Sequence, residues 1–256
     1  MDLGLAGRAY VLTGASRGLG FATARCLVDD GARVVISSRD QDRVDAAVKA
    51  LSEGGNDDRV AGLAGDLGAA STAQALVDTA LERFGQLDGA LLSVGGPPPG
   101  RPLAMTEEQW IGSFETIFLG ALRALRVIVP ALGRGGAIGL VLSSSARAPV
   151  PNLGISNGLR PGLAGVVKDL ADELGPAGIR IVSLLPHRVY TERNKELFAA
   201  TGDAEAARAK AEAAIPLRRL GEPEEFGRVA AFVLSPAASY LTGIAVPVDG
   251  GATRAI

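Results

Sequence analysis

Apolar residues recur along the chain in two rhythms. Short unbroken runs, such as Ala9-Tyr10-Val11-Leu12-Thr13 and Arg33-Val34-Val35-Ile36-Ser37, alternate with longer stretches where apolar residues return every three or four positions. The pattern predicts strands over 9–13, 33–37, 60–65, 89–93, 137–143, 180–185 and 244–248. Helices are predicted over 19–30, 42–52, 71–84, 106–131, 158–174 and 222–234. Continuously apolar strands suit a parallel sheet covered on both faces, and β-α alternation marks a doubly wound α/β domain. No linker or composition shift divides the chain, so one domain over 1–256 is expected. The rhythm lapses only over 191–222, where charged helical sequence intervenes (Glu192, Arg193, Lys195, Glu196, then 203–212). An excursion after a strand's carboxyl end is either a solvated surface hairpin or a substrate lid.

Composition narrows the picture. At 256 residues the chain buries a core without staples. One cysteine, Cys26, excludes an internal disulfide and a multi-cysteine metal site, and one histidine, His187, excludes a pair of imidazoles; no metal is expected. A net charge of −2 argues against an obligate nucleic-acid partner. No apolar run is long enough to span a bilayer, and Met1-Asp2-Leu3-Gly4 lacks signal-peptide character. A cytoplasmic location without membrane partners is therefore expected. The 34 glycines are nearly twice the usual share and follow no collagen period, which suits closely packed layers.

Thr13-Gly14-Ala15-Ser16-Arg17-Gly18-Leu19-Gly20 lies between the first strand and the first helix. Glycines at 14, 18 and 20 allow a sharp turn, close approach to a pyrophosphate and tight helix–sheet packing. The helix start adds free N–H groups and the positive end of its dipole. This G-x3-G-x-G spacing resembles the cofactor loop of the short-chain dehydrogenase/reductase family, and the resemblance runs through nearly the whole chain. It implies a Rossmann-like fold and a nicotinamide dinucleotide. Asp66-Leu67 looks like the family's adenine-contacting acidic position. Asp88 to Gly95 occupies its Asp-x-x-x-Asn-Asn-Ala-Gly block, 136–145 its catalytic-serine strand, and 215–225 with Asp249-Gly250-Gly251 its closing segments. By the same resemblance Gly95, Pro186 and Thr191 join the cofactor site. The second strand ends Ser37-Ser38-Arg39 with no carboxylate before Asp40, which reads as a helix cap. Arg17 and Arg39, with Ser16 and Ser38 beside them, suit the 2′-phosphate of NADP(H).

The catalytic pattern is where the chain departs from the family. The family's Tyr-x-x-x-Lys pair falls on Ser156 and Arg160, its helix-four asparagine near Ile117, and its Asn-Asn-Ala-Gly turn on Leu92-Ser93-Val94-Gly95. Its Pro-Gly reads Pro186-His187. Of the four usual catalytic positions only the serine survives, at Ser143, with Ser144 the alternative if the strand slips by one. A serine hydroxyl has no pKa near 7, and arginine holds its proton, so neither replaces the phenol as acid. Ser143, Ser156 and Arg160 instead suggest a hydrogen-bonding clamp on a developing oxyanion. Tyr190 and His187, just beyond the sixth strand, are candidate proton donors. Arg147, Arg188 and Arg193 near the same mouth point to an anionic or carrier-bound substrate.

Trp110, Phe114 and Phe118 read as core or subunit interface. Surplus apolar faces on 106–131 (Leu119, Leu122, Val127) and 158–174 (Val166, Val167, Leu170) predict a homotetramer. The resemblance implies reduction or oxidation of a carbonyl/alcohol pair, a 3-oxoacyl compound being nearest. The competing expectation is a catalytically inactive nucleotide sensor or scaffold.

Overall fold

The computed structural model describes residues 2–93 and 95–254; Val94, at the family's turn, lies outside the described residues. Seven strands form one sheet: β1 Ala9–Thr13, β2 Arg33–Ser38, β3 Val60–Ala64, β4 Gly89–Ser93, β5 Ala137–Val141, β6 Arg180–Pro186 and β7 Ala245–Val248. Their order is β3-β2-β1-β4-β5-β6-β7, and every pair is parallel.

Side chains on a strand alternate between faces, and this builds two cores. Val11 and Val35 face one layer, while Leu12 and Ile36 face the other. The first layer is closed by α3 (Ala70–Phe84), α5 (Gly120–Ala131) and α6 (Gly154–Leu174). The second is closed by α1 (Gly18–Asp29), α2 (Gln41–Ser52) and α9 (Pro223–Leu234). Each buried Leu, Ile or Val contributes about 1.5–3 kcal/mol, so two such layers hold the sheet firmly. The registers Thr13↔Ser37 and Ser93↔Val141 bring the strands' carboxyl ends to one edge. The strand order reverses between β1 and β4, so the crevice for a ligand opens there.

Three elements differ from the sequence reading. Strand β5 stops at Val141, and Ser143 caps a single 3₁₀ turn, Ser144–Ala146. Helix α6 begins at Gly154 rather than 158, which sets Ser156 inside the helix, one turn before Arg160. The expected helix over 106–131 is α4 (Glu107–Ser113), a π-helical segment Phe114–Leu119, and α5. Within this stretch the Thr116 hydroxyl donates to Gly112 O at 2.9 Å.

Phe114 and Phe118 stack with centroids 5.2 Å apart, and Phe114 stays 40% exposed. Leu122, Val127 and Leu170 are only partly buried. The excursion over 191–222 forms two helices, α7 (Glu192–Ala199) and α8 (Ala204–Ala213), around a small cluster of Phe198, Ile215 and Leu220. Among the described residues no helix is long and apolar enough to cross a membrane.

Candidate functional site

A cleft of about 1150 Å³ runs along the carboxyl edge of the sheet. Its nucleotide end is the β1–α1 turn. Gly14 and Gly18 hold φ of +60° and +59°, a conformation that favours glycine. Gly20 is needed for a different reason: a Cβ there would stand 2.7 Å from Gly14 O. The turn therefore folds back on the helix start and leaves N–H groups facing the cleft. Ser16, Arg17, Leu19, Ser38, Arg39, Asp66, Leu67, Gly95, Pro186 and Thr191 all line the cleft. Asp40 caps α2, accepting from Arg43 N at 3.1 Å. Arg43, which the sequence reading did not single out, also lines the cleft and stands with Arg39 at the end of β2. Arg17 makes an exposed ion pair with Glu196 of α7 at 3.5 Å.

The other end is built on a turn of three serines, each with its own partner. Ser143 Oγ accepts from Ser145 N at 3.1 Å, so its hydroxyl proton remains free to donate. Ser144 Oγ lies 2.8 Å from His187 Nδ1. Ser145 Oγ lies 2.9 Å from Ser156 Oγ, deep under the cleft wall. If Ser145 donates in that pair, the Ser156 proton is free to point at a ligand. Ser145 escaped the sequence reading because three adjacent serines carry no mark of which way each points. Asn157 clasps the loop above, donating to Val150 O and accepting from Val150 N, both at 2.9 Å.

Arg160 is 4% exposed. Its Nη1 donates to Val141 O at 2.9 Å and its Nη2 to Gly95 O, while its Nε is buried without a partner. Burial, and secondarily the Arg193 charge, pull it down to about 10, still protonated at neutral pH. Arg160 is therefore first a brace between the ends of β4 and β5, and it also lines the cleft. Burial, then the Arg188 charge, holds His187 below its ordinary value, so the imidazole is neutral near pH 7.

Two expected residues lie elsewhere. Tyr190 does not line the cleft; it packs into the α7–α8 cluster, with Arg208 4.5 Å and Lys195 4.9 Å from its ring centroid. An extended segment alternates faces, so Val189 and Thr191 sit against the sheet and cleft while Tyr190 turns outward. Arg147 turns away as well, donating to Ala245 O at 2.9 Å. No tyrosine and no lysine lines the cleft among the described residues. No group of three His, Cys, Asp or Glu side chains placed to hold a metal occurs among them either.

The arrangement fits a dinucleotide. The glycine turn makes a cradle for phosphate, Arg17, Arg39 and Arg43 line the cleft beside it, and serine hydroxyls lie at the far end. Comparison with known proteins agrees. A family model described as enoyl-(acyl carrier protein) reductase matches residues 14–253. Dehydrogenase/reductase SDR family member 4 of Oryctolagus cuniculus is 36% identical over 252 residues, covering 97% of this chain and 94% of that protein. L-sorbose reductase of Gluconobacter frateurii, solved with NADPH and L-sorbose, superposes with a TM-score of 0.94 at 28% identity, with all of both chains covered. An NADPH-bound short chain oxidoreductase of Pseudomonas aeruginosa PAO1, described as containing an atypical catalytic center, gives 0.91 at 28% identity over 98% and 99% of the chains.

Proposed function

The chain belongs to the short-chain dehydrogenase/reductase family, and from that premise we propose that it is an NADP(H)-dependent oxidoreductase acting on a carbonyl/alcohol pair through an atypical active site. The observation that carries this reading is continuity. One cleft joins the glycine turn and the Arg39–Arg43 pair to Ser143, Ser156, Arg160 and His187.

Asp66 and Leu67 would flank the adenine, Arg17, Arg39 and Arg43 the 2′-phosphate, and Gly95, Arg160, Pro186 and Thr191 the nicotinamide half. The bound nucleotide supplies or accepts the hydride. The chain's task is to polarise the carbonyl. Ser143 and Ser156 offer two hydroxyl donors toward one oxygen, and the nearby Arg160 charge favours negative charge developing there. A second-sphere bond from Ser145 holds Ser156 in place for this. With Tyr190 turned away, His187, neutral near pH 7 and 2.8 Å from the Ser144 hydroxyl, is placed to hydrogen-bond at this end, and the proton that completes the alcohol comes from solvent. The segment over 191–222 acts as a lid, since α7 reaches the glycine turn through Glu196. The partly buried helices α4 to α6 supply the contacts of a homotetramer.

NADPH is expected to bind at least tenfold more tightly than NADH, because charge-assisted contacts are worth about 1.5–3 kcal/mol each. Fluorescence titration of the wild type and of Arg39→Ala with Arg43→Ala measures this, and equal affinities overturn the NADP(H) assignment. A panel of ketones, aldehydes and alcohols followed at the nicotinamide absorbance tests the chemistry. The lack of a cleft tyrosine or lysine favours one other reading, a nucleotide sensor. Tight NADPH binding with no turnover on any carbonyl or alcohol selects it.

A further inference from the structure

The substrate end of the cleft holds more positive charge than the chain neutralises. Arg160, Arg188 and Arg193 line it. None of the three forms an ion pair among the described residues; Arg188 lies over the Phe198 ring, 5.9 Å from its centroid. The carboxylates on the same walls are engaged elsewhere. Glu192 takes Lys195 at 2.7 Å, and Glu108 folds onto its own N–H and the Thr106 hydroxyl.

Arg193 is also held in place. Its Nη2 donates to Pro97 O at 3.2 Å. Its guanidinium occupies the space that a side chain at Gly96 would fill, lying 3.0–3.1 Å from where a Cβ would stand. Arg160 is anchored to Gly95 O in the same segment. Two guanidiniums thus hang on carbonyls two residues apart, so their anchors are separated by at most about 7 Å of backbone. Three prolines at 97–99 keep that segment from relaxing. Two like charges so close repel, and the buried Nε of Arg160 has no acceptor. An anion between them relieves the repulsion.

Resting on the oxidoreductase reading above, we propose that the substrate is a small oxo acid. Its carboxylate pairs with Arg193 beside Arg160, and its carbonyl oxygen faces Ser143 and Ser156. Ser156 and Arg160 share one helix face a single turn apart, so the carboxylate stands within a few bonds of the carbonyl. A 2-oxo or 3-oxo acid has that spacing. A guanidinium fork matches a carboxylate with two parallel hydrogen bonds, and lysine does not reproduce it.

The test uses non-reducible anions, so it does not require turnover. Oxamate and malonate are titrated against neutral oxamide and malonamide by calorimetry, with and without NADPH. The acid of one pair binds at least tenfold more tightly than its amide in the wild type. Arg193→Gln removes that advantage, Arg193→Lys keeps part of it, and NADPH affinity changes less than twofold in both. Equal binding of both acids and their amides overturns the proposal. A loss of NADPH affinity as large as the loss of anion affinity also overturns it, by assigning Arg193 to the nucleotide phosphates. The two readings fail separately. Anion preference without turnover of any oxo acid sinks the reductase, whereas reduction of neutral ketones without anion preference sinks the oxo-acid site.

Discussion

Replacing Ser156 by alanine tests whether the buried serine pair holds the site together. Ser145 and Ser156 are 2% and 4% exposed, and their hydroxyls meet at 2.9 Å. Ser156→Ala removes one hydroxyl and leaves the other buried with nothing to bond. An orphaned buried hydroxyl costs about 1–3 kcal/mol, and we take about 1.5 kcal/mol for a neutral pair. In a chain of this size each kcal/mol is worth about 2–4 °C, so the melting temperature should fall by about 3–6 °C. Ser145→Ala should behave alike, because the orphan is then Ser156. The double variant removes both partners and the orphan together, so it should be no less stable than either single one. That gives a coupling energy of about 1 kcal/mol or more in the double-mutant cycle, beyond the scatter of independent sites. Calorimetric melts of the four proteins measure it. Additive losses, or single variants that melt with the wild type, would refute the reasoning. Water would then be reaching the pair. Turnover separates the roles further. Ser156→Ala should slow it about ten- to a hundredfold, and Ser145→Ala should slow it less while its substrate affinity holds.

Other expectations follow from the same geometry. Gly20→Ala places a methyl group 2.7 Å from Gly14 O and 2.8 Å from Ala15 Cα. Backbone cannot yield as a side chain does, so stability should drop by about 1–3 kcal/mol and NADPH binding weaken in titration. His187 sits below its ordinary 6.5 in the folded chain, so the unfolded chain takes up its proton first. Its contribution to stability is complete above about 6.5 and declines as pH falls through the lowered folded value. Urea melts from pH 8 to 5 should show a limb that His187→Gln flattens, and an unchanged limb assigns it to other groups. Light scattering at micromolar concentration should give a tetramer that Phe114→Glu dissociates; a wild-type monomer defeats that claim.

The strands were legible because a parallel sheet buried on both faces leaves continuous apolar runs, and β1, β2 and β4 match theirs closely. The glycine turn was legible because its residues act through backbone, where residue type and spacing decide geometry. What stayed hidden depends on direction. The π segment at Phe114–Leu119 keeps the apolar rhythm of an ordinary helix, so the sequence pattern does not mark it. The start of α6 was obscured by Gly154, a weak helix former that reads as loop. Tyr190 shared the correct end of β6 with His187, yet chain position does not say to which side an extended residue turns. Arg43 was passed over because it belongs to a helix's first turn, and only the fold carries it to Arg39.

Arg160 has a consequence for evolvability. One guanidinium bridges Val141 O and Gly95 O beneath the cleft, so the support of this floor rests on a single residue. A lysine there could satisfy those two carbonyls only from a point charge, and a tyrosine at 156 would have to displace the hydroxyl contact with Ser145. Both positions are thus tied to their neighbours within the fold, so a change on the walls of the cleft disturbs less of the structure than a change in this floor.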